Sequence, residues 1–262
     1  SVPGYLIIQN NRSLLDTNGL EGITSVGQFL LVSGNGSLVS INIPSLESIG
    51  SYFNVASNAR LESFDMPALS TVGTYLTLSD NGDSATGSTP TYAFPGLTSV
   101  GRDLNVTGNG TVDTLQLGTA GTPLTIGTAG TTDPATKKLD INTNPYLESI
   151  DADAITSVAS YVNVSSNANL AYGSMNGLET VGTYLHFNSN GSDVTASDPV
   201  PYYRLTGLTS VGDWLRFQGN GGVRTVTLGT TGTAFTVGFT GSNRFVSVDS
   251  NPHLQTFTTD GL

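Results

Sequence analysis

A 23-residue period is the feature that most restricts what this chain can fold into. It is clearest in residues 28–50 (QFLLVSGNGSLVSINIPSLESIG), 51–73 (SYFNVASNARLESFDMPALSTVG) and 160–182 (SYVNVSSNANLAYGSMNGLETVG). Each unit has a short alternating segment, then an asparagine, then leucines, and ends on Ile-Gly or Val-Gly. A unit this short cannot bury its own apolar face, so successive units must stack on one another.

Ten such units follow one another along the chain, and their pattern predicts strands. They begin near Tyr5, Gln28, Ser51, Thr74, Arg102, Lys137, Ser160, Thr183, Asp213 and Asn243. Apolar residues alternate at period two, and no stretch keeps the 3.6-residue period of a helix. We therefore predict an all-β fold, a parallel right-handed β-solenoid of about ten 23-residue coils with inserted loops and hairpins. Coils about 4.8 Å apart would give a rod of about 48 Å.

A longer repeat overlies the coils. Within a single domain of residues 1–262, the block 28–136 recurs as 137–242, and extra coils, 1–27 and 243–262, flank the pair. Matching coils carry matching inserts. The polar loop 83–92 is echoed by 193–203. The Thr-rich segment TLQLGTAGTPLTIGTAG from Thr114 is echoed by TVTLGTTGTAFTVGFTG from Thr225. Alternation of Thr with aliphatic residues around glycine predicts a short hairpin or added strands in the second type.

The repeated pattern x-Y-L-x-V-x-x-N-x-x-L-x-S-I-x-x-P-x-L-x-S-V-G resembles the receptor L domain. That family is a leucine-rich-repeat-like, right-handed β-helix found in insulin-type and epidermal-growth-factor-type receptors and in fungal cell-wall proteins. The resemblance covers nearly the whole chain. It implies a β-helical fold and an extracellular setting, secreted or on a cell surface. Because the chain lacks the receptors' cysteines and capping helix, hormone binding is not implied.

Composition excludes several classes of function. Charged residues are only 11% of the chain and the net charge is -11, which disfavours binding to nucleic acid or to anionic lipid. The absence of cysteine excludes disulfides, Cys-ligated metals and thiol nucleophiles. No apolar run reaches the roughly 18 residues of a membrane span. Scarce lysine beside abundant threonine, asparagine and glycine is typical of a secreted surface. We expect no cofactor and no metal site.

Catalysis needs titratable groups that converge, and the best cluster is Asp140, His186, Arg216 and Asp213. Asp140 and His186 are predicted to lie two coils apart, about 10 Å, too far for a general acid and its orienting partner to touch. We therefore predict no catalytic residues. Ice binding is disfavoured as well, because the Thr-rich segments are two short islands rather than a long regular array.

Asparagine recurs once per coil, immediately after the first strand. Its positions are Asn35, Asn58, Asn81, Asn109, Asn144, Asn167, Asn190, Asn220 and Asn251. Amide side chains at such a turn can satisfy backbone groups of their own and neighbouring coils. We predict a continuous asparagine ladder along the solenoid.

Aromatic residues form a column on the outward side of the first strand. Its members are Tyr5, Phe29, Tyr52, Tyr75, Tyr161, Tyr184, Trp214 and Phe245. The column is either a surface that stacks on glycan rings or contacts another protein, or a ladder that stiffens the sheet by cross-strand pairing. The candidate ligand face comprises Tyr52, Tyr75, Tyr161, Tyr184 and Trp214.

The two ends carry no recognisable cap, although open solenoid ends expose unpaired backbone groups and apolar side chains. Joined end to end, GL and SVPGYLII approximate the internal GLTSVGTYLTL. We predict an extracellular structural protein whose copies associate head to tail into a filament or surface layer. The predicted interface is Tyr5, Leu6, Ile8, Phe245, Val246, Val248, Leu254, Phe257 and Leu262. The alternative is a receptor-L-type adhesin that binds glycan or a cell-surface protein on the aromatic face.

Overall fold

The computed structural model describes residues 1–83, 90–127, 137–195, 200–238 and 245–259. Within those ranges the chain contains strands, turns and bends but no helix. Every strand pair is parallel, and each strand pairs with the equivalent strand of the next coil. The predicted parallel β-solenoid is confirmed.

The first face of the solenoid is a ten-stranded sheet with one strand from each coil. Its strands, in order, are β1 (Leu6–Gln9), β3 (Leu30–Ser33), β6 (Phe53–Ala56), β9 (Leu76–Ser79), β12 (Leu104–Thr107), β15 (Leu139–Asn142), β18 (Val162–Ser165), β21 (Tyr184–Asn188), β24 (Trp214–Gln218) and β27 (Phe245–Asp249).

The second face consists of a two-stranded and a seven-stranded sheet. The pair is β4 (Ser40–Asn42) and β7 (Ser63–Asp65). The larger sheet contains β10 (Thr91–Phe94), β13 (Thr114–Leu117), β16 (Ser149–Asp151), β19 (Tyr172–Ser174), β22 (Tyr202–Leu205), β25 (Thr225–Leu228) and β28 (Thr256–Thr259).

The third face is a nine-stranded sheet of short strands. They are β2 (Ser25–Val26), β5 (Ser48–Ile49), β8 (Thr71–Val72), β11 (Ser99–Val100), β14 (Leu124–Ile126), β17 (Ile155–Val158), β20 (Thr180–Val181), β23 (Ser210–Val211) and β26 (Thr236–Val237). Val2 extends this face through an isolated parallel bridge to Val26.

Alternation along each strand creates the core. On the first face, Leu30, Phe53 and Leu76 pair in register and are fully buried, while the residues between them face outward. This confirms the predicted inward ladders. The glycine that closes many units has a packing reason. A Cβ at Gly50 or Gly73 would overlap the backbone carbonyl of the preceding coil, so close stacking requires glycine there.

The turn before each ladder asparagine has a common backbone conformation. The preceding residue has a positive φ in every coil, which is the left-handed conformation that favours glycine. Glycine occupies this position in three coils, as at Gly34. Elsewhere the chain uses Asn10, Ser57, Asp80, Thr143, Ser166, Ser189 and Ser250.

Of the hairpin and the added strands that we predicted as alternatives for the Thr-rich segments, the described residues form strands and no hairpin. In the first segment, β13 joins the second face and β14 joins the third, and neither pairs with the other. Both strands bury alternate side chains in the common core, so they find parallel partners on neighbouring coils instead of each other. β25 and β26 repeat this arrangement in the second segment.

Parts of several predicted features lie outside the described residues. These parts are 84–89 and 196–199 of the polar loops, 128–130 and 239–241 of the Thr-rich segments, and Leu262. The internal duplication of 28–136 as 137–242 stays a prediction.

Candidate functional site: two ladders and the terminal coils

The asparagine ladder is confirmed and has ten members, because Asn11 of the first coil belongs to it. A central rung shows its geometry. Asn144 donates from its backbone N–H to Asn167 Oδ1 (3.0 Å) and from Nδ2 to the same oxygen (3.1 Å). Its Nδ2 also donates to the Val106 carbonyl of the preceding coil (3.0 Å), while its Oδ1 accepts from Asn109 (3.0 Å). Eight of the rungs, from Asn35 to Asn220, are completely buried. The ladder thus satisfies buried polar groups of every coil.

The sequence analysis missed Asn11, although a signal for it was present. Asn11 follows the inward residue Leu6 by five positions, as Asn35 follows Leu30. The backbone N–H of Asn11 donates to Asn35 Oδ1 (2.9 Å). The loop after it, Asn11-Arg12-Ser13, lacks the glycine that follows the asparagine in five of the other nine units, which hid the match.

The ladder has a direction. Each asparagine donates to the oxygen of the next one toward the C-terminus, up to the bond from the Asn220 N–H to Asn251 Oδ1 (2.9 Å). Asn11 is the first rung and Asn251 the last in the part of the chain that the structure describes. The last described rung therefore has its backbone N–H, and the first its Oδ1, on the side where the next rung would lie.

The aromatic column is built of rings stacked face to face. Centroids are 4.5 Å apart for Phe29 and Tyr52, and 4.4 Å for both Tyr161–Tyr184 and Tyr184–Trp214. The planes of these pairs differ by 4° to 11°. Tyr5 and Phe245 continue the stacks to the two ends at 5.0 and 5.5 Å. Neighbouring rings cover the faces of the interior rings, so their edges are what faces outward.

Charged residues interrupt the column in the middle of the molecule. Asp103 and Lys138 occupy the two central positions where other coils have rings. The Arg102 guanidinium lies 4.9 Å from the Tyr75 ring centroid, and Lys138 Nζ lies 5.5 Å from that of Tyr161. Cations therefore cover the Tyr75 ring and the inner end of the C-terminal stack at Tyr161. The outer ends have no such cover, since Tyr5 is 57% exposed and Phe245 is 43% exposed.

The rejected catalytic cluster is only partly brought together. Asp140, His186 and Arg216 lie in one outward column, but Asn163 sits between Asp140 and His186 in register. Burial raises the pKa of Asp140, yet hydrogen bonds from Asn163, Asn142 and Lys138 outweigh it and hold that pKa below its ordinary value. Among these residues, no acid contacts the imidazole.

The other two features of this cluster are the lowered pKa of His186 and the position of Asp213. Burial, reinforced by the nearby Arg216 charge, lowers the pKa of His186. Asp213 precedes Trp214 at the start of its coil, so it lies outside the column. The described residues contain no group of three or more His, Cys, Asp or Glu side chains that could hold a metal ion.

The structure also shows a cleft that sequence analysis missed, on the second face between the two polar loops. Its volume is about 660 Å³, and its lining includes Asp83, Asp113, Glu148, Asp193 and Tyr146. Burial raises the pKa of Glu148, helped by the charge and hydrogen bond of Asp113. The lining comes from coils four to eight at irregular spacing, so no linear motif marks it.

The terminal coils hold most of the exposed apolar surface in the described part of the chain. Of eight large apolar residues that are exposed, three lie in the first coil and three in the last. They are Tyr5, Ile7, Leu15, Phe245, Val246 and Val248.

The predicted interface residues lie at these two ends. Leu6 and Ile8 line a groove of about 750 Å³ at the N-terminal end. Leu254 and Phe257 are partly buried against the core near the other end.

Comparison with known proteins identifies no relative, because no protein-family model, no curated protein and no solved structure matches this chain. No helix that could cross a membrane occurs in the ranges that the structure describes.

Proposed function

We propose that this chain is an extracellular structural protein whose copies associate head to tail through their terminal coils into a filament or surface layer. The observation that carries the proposal is the open apolar layer at the C-terminal end. Val246 and Val248 continue the inward ladders of Leu215 and Phe217. Leu215 and Phe217 are buried, but Val246 and Val248 are 41% and 38% exposed because no coil among the described residues covers them.

The opposite end offers the matching layer. Leu6 and Ile8 are the first members of the same inward ladders, and β1 pairs with β3 alone. β27 likewise pairs with β24 alone. Apolar surface and unpaired strand edges at both ends favour parallel pairing between copies, which stabilises through burial and backbone hydrogen bonds. Such a heterologous contact extends into a filament unless its rotation closes a ring.

The extracellular assignment is supported by the composition and by the resemblance to the receptor L domain. Lys137 and Lys138 are the only lysines, and the chain has no cysteine. A repetitive, weakly charged β-structure stabilised by uncharged ladders suits a structural role outside the cell.

Electron microscopy and sedimentation of the 262-residue chain at micromolar concentration test this proposal. We expect thin fibres with an axial repeat of about 48 Å per copy, since ten coils are spaced about 4.8 Å apart. The double variant Val246→Asp and Val248→Asp should remain monomeric. Tyr146→Asp is the matched control, because Tyr146 is 60% exposed but lies in the middle of the molecule. Monodisperse monomers of the unsubstituted chain would overturn the proposal.

A second candidate is a receptor-L-type binding module that recognises glycan or a cell-surface protein on the aromatic face. The half-exposed ring edges of Tyr52, Tyr75, Tyr161, Tyr184 and Trp214 favour it. Because stacking covers most ring faces, these edges suit a protein surface better than a flat sugar ring. Binding of the monomer to glycan arrays and to cells, compared with a variant carrying alanine at Tyr52, Tyr75, Tyr184 and Trp214, tests this candidate. Equal binding by both proteins would exclude the aromatic face.

A further inference from the structure

We propose that copies join in one defined register, in which both ladders continue across the junction. Phe245 of one copy stacks on Tyr5 of the next, and Asn251 donates hydrogen bonds to Asn11 of the next. This inference rests on the head-to-tail assembly proposed above and specifies how the partner copy is recognised.

The asparagine ladder supplies the first argument. In each internal step the backbone N–H and Nδ2 donate to Oδ1 of the following coil, as Asn220 donates to Asn251 (2.9 and 3.0 Å). Asn251 Nδ2 donates to the Phe217 and Asp249 carbonyls, and within the described ranges no further rung accepts from its backbone N–H. Oδ1 of Asn11 in the next copy is an acceptor for the backbone N–H of Asn251. The contact has a donor on the C-terminal end and an acceptor on the N-terminal end, which excludes head-to-head and tail-to-tail pairing by the same groups.

The aromatic column supplies the second argument. Cations lie over the two central rings of the column, Tyr75 and Tyr161, whereas the outer faces of Tyr5 and Phe245 are open. A ring stacked on each outer face would complete the column, and internal ring pairs show the spacing to expect, 4.4 to 5.5 Å. A second copy provides that ring at each end.

The asparagine ladder and the aromatic column are continuous across the junction in the same register between copies. Phe245 and Asn251 are six residues apart, and so are Tyr5 and Asn11. Extending the internal pairing of Trp214 with Phe245 by one coil therefore places Phe245 on Tyr5, Ser247 on Ile7 and Asn251 on Asn11. A one-residue slip would turn inward side chains outward. A two-residue slip would separate both the rings and the amides.

Engineered disulfides test the register, since the chain contains no cysteine. In the proposed register, Ile7 and Ser247 of adjacent copies have Cα atoms about 4.8 Å apart, within disulfide range. The variant Ile7→Cys with Ser247→Cys should form covalent multimers on oxidation, seen on a non-reducing gel. The control Gln9→Cys with Ser247→Cys should not, because a two-residue offset places those Cα atoms about 8 Å apart. Each single-cysteine variant should also remain uncrosslinked.

The outcomes separate this inference from the proposed function. Fibres by electron microscopy that crosslink through Gln9→Cys, or through neither pair, would overturn the register and leave head-to-tail assembly standing. Crosslinked dimers from a single-cysteine variant would overturn the polarity. Monomers of the unsubstituted chain would overturn the proposed function itself.

A variant of the acceptor tests the amide contact separately. Asn11→Leu should raise the concentration needed for assembly at least about tenfold, while Ser13→Leu, at an exposed position of the same end, should change it less than about twofold. Sedimentation measures both, and circular dichroism checks that the monomers fold equally well. Assembly of Asn11→Leu at the unsubstituted concentration would remove Asn11 from the junction.

Discussion

The central and the terminal coils are built from the same repeat, yet their ladder positions have different surroundings. Asn144 has a ladder asparagine on both sides, and the ring of Tyr184 has a stacked aromatic ring on both sides. Asn11 and Tyr5 occupy equivalent positions with a neighbour on one side only. In a solenoid, half of each residue's interactions belong to the next coil, so identical residues contribute differently according to position. Substitutions in the asparagine ladder and in the aromatic column test this difference, and a titration and a glycine exchange then test single positions of the solenoid.

The largest effect is expected in the asparagine ladder. Asn144→Leu removes partners from several buried groups, including the Val106 carbonyl and the Asn109 N–H, at about 1–3 kcal/mol each. We expect the free energy of unfolding to fall by at least about 3 kcal/mol, measured by urea denaturation. Asn11→Leu, at an exposed rung, should cost less than about 1 kcal/mol. Equal losses would show that position along the solenoid does not matter.

A smaller effect is expected in the aromatic column. Tyr184→Ala removes two stacked pairs, each worth about 0.5–1.5 kcal/mol beyond the area buried. Tyr5→Ala removes one pair and should destabilise the monomer about half as much. Thermal and urea unfolding of the monomers measure both. A larger loss for Tyr5→Ala would contradict the comparison.

The pH dependence of stability should reveal the half-buried histidine. The folded pKa of His186 lies below the ordinary 6.5, because burial and then Arg216 disfavour its charged form. Below pH 6.5 the unfolded chain therefore binds this proton more readily than the folded one. The free energy of unfolding should decline as pH falls from 6.5 through the folded pKa. His186→Gln, which retains His253, should flatten that decline, and an unchanged slope would assign it to other groups.

The smallest expected effect is an increase in the free energy of unfolding. Thr143 has a positive φ of 56°, a costly conformation for a β-branched residue, at a position where Gly34 and other glycines occur in sister coils. Relief of this strain outweighs the added flexibility of the unfolded chain. Thr143→Gly should therefore raise the free energy of unfolding by about 0.5 kcal/mol. Gly34→Thr, the reverse change, should lower it, and the same sign for both would refute the argument.

The repeat made most of the fold predictable. Period and alternation sufficed for the coil boundaries, the inward ladders and nine of the ten asparagines, because each coil repeats the same local rule. Of the two alternatives predicted for the Thr-rich segments, the strands and not the hairpin are observed, because Thr-aliphatic alternation specifies a strand but not its partner. β13 and β14 pair with coils that lie 23 or more residues away along the chain.

The candidate sites were less predictable for a related reason. The cleft near Asp113 and Glu148 is lined by residues of five successive coils at irregular spacing along the chain, which no period describes. The contact of the Arg102 guanidinium with the Tyr75 ring could not be predicted from the sequence either, because Arg102 belongs to the following coil.

The common direction of the asparagine rungs has an electrical consequence. In the eight buried rungs the amide oxygen accepts from the preceding coil, and the backbone N–H and Nδ2 donate to the oxygen of the following rung, so these side-chain dipoles add along the axis. The rod should thus carry a permanent moment, positive at its C-terminal end, that grows as copies are joined. Two fibres lying side by side would be drawn into antiparallel alignment, and an applied field would orient them in solution.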